Sequence, residues 1–252
     1  MIRVRGITKR YGEKKVVDQV DLDLPMNKIV AFIGSNGAGK STVLSMISRT
    51  LSKNEGEVLI DDIELKDWKN EELSKRLAIL KQTNHLNIRL TVRELVSFGR
   101  YPHSKGKLTA ECQRKIDEAI EYLGLTKLQD RYLDELSGGQ RQMAYIAMTV
   151  AQDTKYIFLD EPLNNLDMRH SVQIMKILRR LVEELGKTVF VVIHDINFVS
   201  CYADHVIAMK QGKVVADGPT GEIMTEDMLK EIYNMDIKIE EIGGDNICLY
   251  YK

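Results

Sequence analysis

Residues 29–41 read IVAFIGSNGAGKS, and the rest of the chain is best understood outward from them. Ile29 to Ile33 shows almost no polar alternation, the pattern of a strand covered on both faces. Gly34 to Ser41, GSNGAGKS, matches the spacing G-x-x-x-x-G-K-S at the junction between that strand and a helix-forming run from Lys40 onward. Glycines let the backbone curl until several N–H groups point inward at phosphate oxygens, and a helix beginning near Lys40 adds its positive dipole end. Lys40 then reaches the β- and γ-phosphates, and the Ser41 hydroxyl is placed to ligate Mg²⁺.

The flanking sequence repeats the strand pattern. Short apolar runs bounded by Gly, Asn and Asp occur at Ile2 to Ile7, Val16 to Leu24, Val58 to Ile60 and Leu77 to Leu80. From about Leu90 to Gln152 the periodicity becomes helical. Ile116, Ala119, Ile120 and Leu123 recur at three- and four-residue steps and stop at Gly124, while a helix over Gly139 to Ala151 sets Met143, Ile146, Ala147 and Val150 on one face. Two further buried strands, Tyr156 to Leu159 and Thr188 to Ile193, flank an amphipathic helix whose stripe is Ile174, Ile177, Leu178, Leu181 and Leu185, closed by Gly186. Strands alternating with helices predict an α/β fold with a mainly parallel sheet, whose ligands sit at the carboxyl ends of the strands. The expected organisation is a single domain over 1–252. Its α/β core is 1–88 and 153–220, a helical subdomain is inserted at 89–152, and 221–252 is a C-terminal segment.

Composition narrows the function. Lys and Arg number 36 against 37 Asp and Glu, a net charge of −1, which argues against a nucleic-acid partner or broad attraction to anionic lipid. No apolar run approaches the roughly 18–20 residues of a bilayer-spanning helix. The N-terminal MIRVRGITKRYG lacks the apolar centre of an export signal. Cys112, Cys201 and Cys248 are widely spaced and read as reduced cytoplasmic thiols. His85, His103, His170 and His205 are not grouped at metal-ligand spacing and read as non-ligands.

Tyr156 to Glu161, YIFLDE, is an apolar strand ending in two acids. An Asp at the carboxyl end of a strand neighbouring the glycine-loop strand suits the Mg²⁺ shell, and the next residue suits a water, so Asp160 is assigned to the metal and Glu161 to the water. Leu136 to Gln140 reads LSGGQ. Ser137 caps the following helix and supplies a hydroxyl, and Gly138 and Gly139 let the backbone approach an anion, so this is a second phosphate-facing helix start.

With this pentapeptide the chain resembles the ATP-binding-cassette ATPases, which are P-loop NTPases with an antiparallel β portion at the N-terminus. The resemblance covers essentially the whole sequence. It implies ATP and Mg²⁺ as cofactors, and a head-to-tail pair in which the signature of one copy (Ser137, Gly138, Gly139, Gln140) closes over the loop of the other (Gly34, Ser35, Asn36, Gly37, Ala38, Gly39, Lys40, Ser41, Thr42). It further implies that Tyr11 stacks on adenine and that Gln82 touches Mg²⁺ or water. Asn164 to Asp167, NNLD, is implied to cross the dimer interface, with Asp167 also a sensible N-cap, and His194 to sense the γ-phosphate. Met143, where an arginine is common, and Asn165, where a small residue is usual, depart from the family pattern and bear on subunit contact.

Three stretches look like the ATPases of bacterial ferric-siderophore importers, most similarly those for catecholate chelates of the petrobactin type: residues 87–105, NIRLTVRELVSFGRYPHSK; Leu166 to Ser171, LDMRHS; and the tail GPTGEIMTEDMLKEIYNMD. That group implies a peripheral subunit on the cytoplasmic face of the membrane. It would dock on transmembrane permease subunits and serve, indirectly, a siderophore-binding protein. Leu95, Val96, Phe98 and Tyr101 are either docking material or the helical block's own core. A haem or cobalamin importer ATPase and a non-transport cassette protein are the alternatives; a single loop motif and no heptads weigh against the second.

Overall fold

In the computed structural model, which describes residues 1–82 and 88–251, the chain opens with two long antiparallel strands, β1 (Ile2–Tyr11) and β2 (Lys14–Leu24). Alternating residues of these strands, including Ile2, Val4, Leu22 and Leu24, are buried while the intervening charged ones face out, as a half-buried sheet requires. The chain continues through β3 (Ile29–Ile33), α1 (Lys40–Ile47), β4 (Glu55–Ile60), β5 (Ile63–Glu64), α2 (Asn70–Leu73) and β6 (Leu77–Leu80). Strands β2, β1, β4 and β5 hydrogen-bond in that order into one sheet. His85 and Asn87 lie outside the described residues.

Helices α3 (Val92–Phe98), α4 (Tyr101–Ser104), α5 (Ala110–Tyr122) and α6 (Gly138–Ala151) follow, α3 and α6 each opened by a reciprocal capping box. Next come β7 (Tyr156–Asp160), α7 (Met168–Glu183), β8 (Thr188–Val192), α8 (Ile196–Tyr202), β9 (His205–Lys210) and β10 (Lys213–Pro219). The chain closes with α9 (Thr220–Ile223), α10 (Glu226–Tyr233) and the hairpin of β11 (Lys238–Ile242) and β12 (Asp245–Leu249).

Among the described residues the main sheet has the order β10-β9-β3-β8-β7-β6, parallel except for the β9–β10 pair. All five residues of β3 are buried because the sheet is covered on both faces. Val30 and Phe32 join the core formed with β1, β2, β4 and α1, while Ile29, Ala31 and Ile33 join the core shared with α5, α6 and α7, the period of two expected of a strand. This is the anticipated α/β architecture, with the antiparallel sheet at the N-terminus. No described helix is long and apolar enough to cross a membrane.

Two expectations are corrected. The strand ending in Asp160 does not neighbour the glycine-loop strand: β8 lies between them, and Asp160 and Phe32 both pair with Val192. Parallel strands are joined by long crossovers, so chain order leaves spatial order open. Leu185 is not part of the α7 stripe. The helix ends at Glu183 and Leu185 is 47% exposed, because the turn into Gly186 at φ +59° swings it off the buried face.

Candidate active site

Parallel alignment brings the carboxyl ends of β3, β8, β7 and β6 to one edge, and each of these ends supplies a candidate functional group. The glycine loop follows β3, His194 lies just beyond β8, Asp160 and Glu161 close β7, and Gln82 follows β6. Groups scattered over 160 residues of chain thus meet within a few side-chain lengths.

Gly34 begins the cradle at φ +133°, and a Cβ there would lie 2.1 Å from the carbonyl oxygen of Met209 on β9. Only glycine lets the loop pass so close to the neighbouring strand. Lys40 is 5% exposed, and its ammonium donates to the carbonyls of Gly34 at 2.8 Å and Ser35 at 3.0 Å. Burial lowers its pKa, while the nearby carboxylates of Glu161 and Asp160 oppose that shift. Asn36 to Thr42 line a hollow with Val16 and Glu161, and the eight-residue helix α1 starts at its floor.

The Ser41 hydroxyl, in the first turn of α1, donates to Asp160 at the end of β7 at 2.6 Å, although β8 separates β7 from the strand that leads into the glycine loop. Burial raises the pKa of Asp160, and the Ser41 bond and the Lys40 charge only partly compensate. A half-buried carboxylate beside a hydroxyl and, across Glu161, the Gln82 carboxamide is an all-oxygen donor set. That chemistry fits Mg²⁺ and is poor for softer metals.

Glu161 is the centre of the network. Its backbone is left-handed at φ +52°, a conformation that costs a non-glycine residue about 1–2 kcal/mol. Gln82 Nε2 donates to its Oε2 at 2.5 Å, Asn164 Nδ2 donates to the same oxygen, and His194 Nε2 lies 2.8 Å from Oε1. A carboxylate has about four lone-pair sites. Three are engaged, which leaves one for a water proton.

The signature residues belong to a different face. Ser137 caps α6 by accepting from Gln140 N at 3.3 Å, and Gln140 Oε1 accepts from Ser137 N at 3.1 Å. Helix α6 packs on α3, α5, β6 and α7. A Cβ on Gly138 would meet open space, whereas one on Gly139 would lie 2.2 Å from the ring of His170. Asp167 caps α7 by accepting from His170 N at 2.9 Å. Tyr11 stands 56% exposed at the tip of the β1–β2 hairpin, with the Lys9 ammonium 5.3 Å from its ring centroid.

Asn164, on Glu161, and His170, on Gly139, are contacts that sequence reasoning missed. A three-residue spacing between Glu161 and an amide was the available signal for the first; the second pairs residues 31 positions apart and left none. Of the remaining histidines, His103 bonds the Gln152 carbonyl and His205 pairs with Asp217. Met143 is 3% exposed within the core of α6, which removes it from subunit contact.

Residues 17–164 match the model of the ABC transporter family. The chain belongs to that family. It is 53% identical over 251 residues, with full coverage of both chains, to the petrobactin import ATP-binding protein YclP of Bacillus subtilis (strain 168). It is 47% identical to the petrobactin import ATP-binding protein FatE of Bacillus anthracis, over 99% of this chain and 100% of that one. Among solved structures it resembles a dimeric ATP-binding cassette in a post-hydrolysis state bound to ADP and Pi, at 31% identity and TM-score 0.77, covering 87% of this chain and 99% of the other. As an ABC transporter ATPase the chain binds ATP.

Proposed function

We propose that this chain is the ATP-hydrolysing subunit of a bacterial importer for ferric siderophores of the petrobactin type, acting as a two-copy unit on the cytoplasmic face of a transmembrane permease pair. The carrying observation is the identity with petrobactin import ATP-binding proteins, 53% and 47% over essentially the full length of both chains. A siderophore-binding protein outside the membrane would deliver the chelate.

The geometry supports a definite division of labour. Residues 34–42 hold the triphosphate, and the Lys40 ammonium exchanges two backbone carbonyls for the more negative phosphate oxygens. Mg²⁺, held by the Ser41 hydroxyl, the Asp160 carboxylate and the Gln82 carboxamide, would supply neutralisation of phosphate charge. Glu161 takes the proton of the attacking water on its remaining lone pair, and Gln82, Asn164 and His194 fix the carboxylate in place. Tyr11 offers an exposed ring to the adenine. Ser137 and Gly138 of a second copy, with Gln140 holding the cap, close over the γ-phosphate, and the turn ending at Asp167 crosses between copies. Catalysis of this kind is positioning and electrostatics.

For permease docking, Leu95 and Val96 are 1% and 0% exposed and belong to the helical block's own core. Phe98 and Tyr101, 46% and 64% exposed on the same block, are the residues proposed to meet the permease. The test is co-expression with a permease pair and binding protein, reconstitution in vesicles, and measurement of ATP-driven uptake. Petrobactin-type ferric chelate should stimulate hydrolysis and accumulate inside. Stimulation by haem or cobalamin instead would replace the cargo assignment, and failure to co-purify with any permease would overturn the transport reading.

A further inference from the structure

The histidine set aside as a non-ligand lies where two helix starts meet. Helix α6 begins at the signature and α7 begins at the crossing turn, and the His170 ring sits against the first of these while bonding the cap of the second. Its face occupies the space a Cβ of Gly139 would need, 2.2 Å from His170 Cγ and 2.7 Å from Nδ1. Its Nδ1 lies 2.7 Å from Asp167 Oδ2, while Asp167 Oδ1 accepts from the His170 backbone N–H at 2.9 Å. These bonds hold the Asp167 carboxyl below the usual carboxylate range, so the carboxylate is the acceptor and Nδ1 carries the hydrogen.

The two signature glycines therefore do different jobs. Gly138 borders open space and is free to approach an anion, whereas Gly139 is glycine so that an imidazole can lie flat against the helix. The turn that ends in Asp167 begins at Asn164, which donates to Glu161. A continuous set of contacts thus runs from the water-handling carboxylate, through the turn, to the start of the signature helix.

We infer that His170 is a positioning residue for ATP hydrolysis, fixing the signature of its own copy at the height from which Ser137 and Gly138 meet the nucleotide held by the second copy. The inference rests on the two-copy reading above. It makes a distinctive demand, because each copy's cradle binds nucleotide without help from His170 while closure of the pair needs it.

His170→Ala should lower kcat on the order of ten- to a hundredfold, the scale of a small misplacement of a catalytic group. KM for ATP should stay within about twofold, since interactions gained only on closure act on kcat. His170→Asn, which keeps an N–H for Asp167, should recover most of the rate. In the Glu161→Gln background, where ATP and Mg²⁺ should trap a dimer visible by light scattering, adding His170→Ala should dissolve that dimer while fluorescent nucleotide still binds each copy. Wild-type kcat in His170→Ala, equal losses in the Ala and Asn variants, or an undiminished trapped dimer would overturn the assignment. If Glu161→Gln alone forms no dimer with ATP, the two-copy reading itself fails, and His170 falls with it.

Discussion

Replacing Gly34 by alanine tests whether the cradle's shape is set by the strand beside it. A methyl group there would sit 2.1 Å from the Met209 carbonyl oxygen, roughly 1 Å closer than such atoms approach in proteins, and φ of +133° is itself closed to alanine. Holding a side chain in a disfavoured backbone region costs about 1–3 kcal/mol, and forcing an extra methyl into a packed site costs about 1–3 kcal/mol more. For a chain of this size each kcal/mol lowers Tm by about 2–4 °C, so a fall on the order of 10 °C is expected. Gly37→Ala is the control. It shares the positive φ, +77°, but its Cβ would meet nothing within 4 Å, so only strain of about 1–2 kcal/mol should appear. Because the Gly34 carbonyl also anchors Lys40 at 2.8 Å, Gly34→Ala should weaken Mg²⁺–ATP binding at least about tenfold, or about 1.4 kcal/mol. Calorimetric melting and isothermal titration of both variants decide it. Gly34→Ala melting within about 2 °C of Gly37→Ala, with unchanged affinity, would refute the steric reasoning.

Glu161→Gln should lower kcat about 10²- to 10⁴-fold, the usual contribution of a general base, while nucleotide affinity measured by titration stays close to wild type. Lys40→Ala should weaken both binding and turnover, because the buried cation is lost from the phosphates; unchanged affinity would remove its role. Asp153 joins Lys187 at 2.8 Å and Lys115 at 3.0 Å; although burial pushes its pKa up, these ammoniums hold it at about 2. A depressed folded pKa stabilises above the unfolded value of about 3.9 and ceases to do so as pH falls toward 2. The gap in urea midpoint between wild type and Asp153→Asn should therefore be full at neutral pH and close in acid.

Some of this protein was legible in one dimension because its physics is local. The bounds of β3 and β6, the start of α1, and the caps at Ser137 and Asp167 each depend on residues within a few positions of one another, so hydrophobic period, glycine spacing and capping chemistry suffice to find them. The phosphate loop belongs to the same class, since its motif is contiguous. Sheet order does not. Nothing in the run of residues says that β8 passes between β3 and β7, or that Ser41 reaches Asp160 across it. The crowding of three donors on Glu161 and the ring of His170 against Gly139 arise because the sheet edge and two helix starts converge from distant parts of the chain. Sequence settles which groups are present and which short segments they form. Only packing decides which of them touch, because contact between remote segments is chosen by the burial of whole faces and not by any single residue.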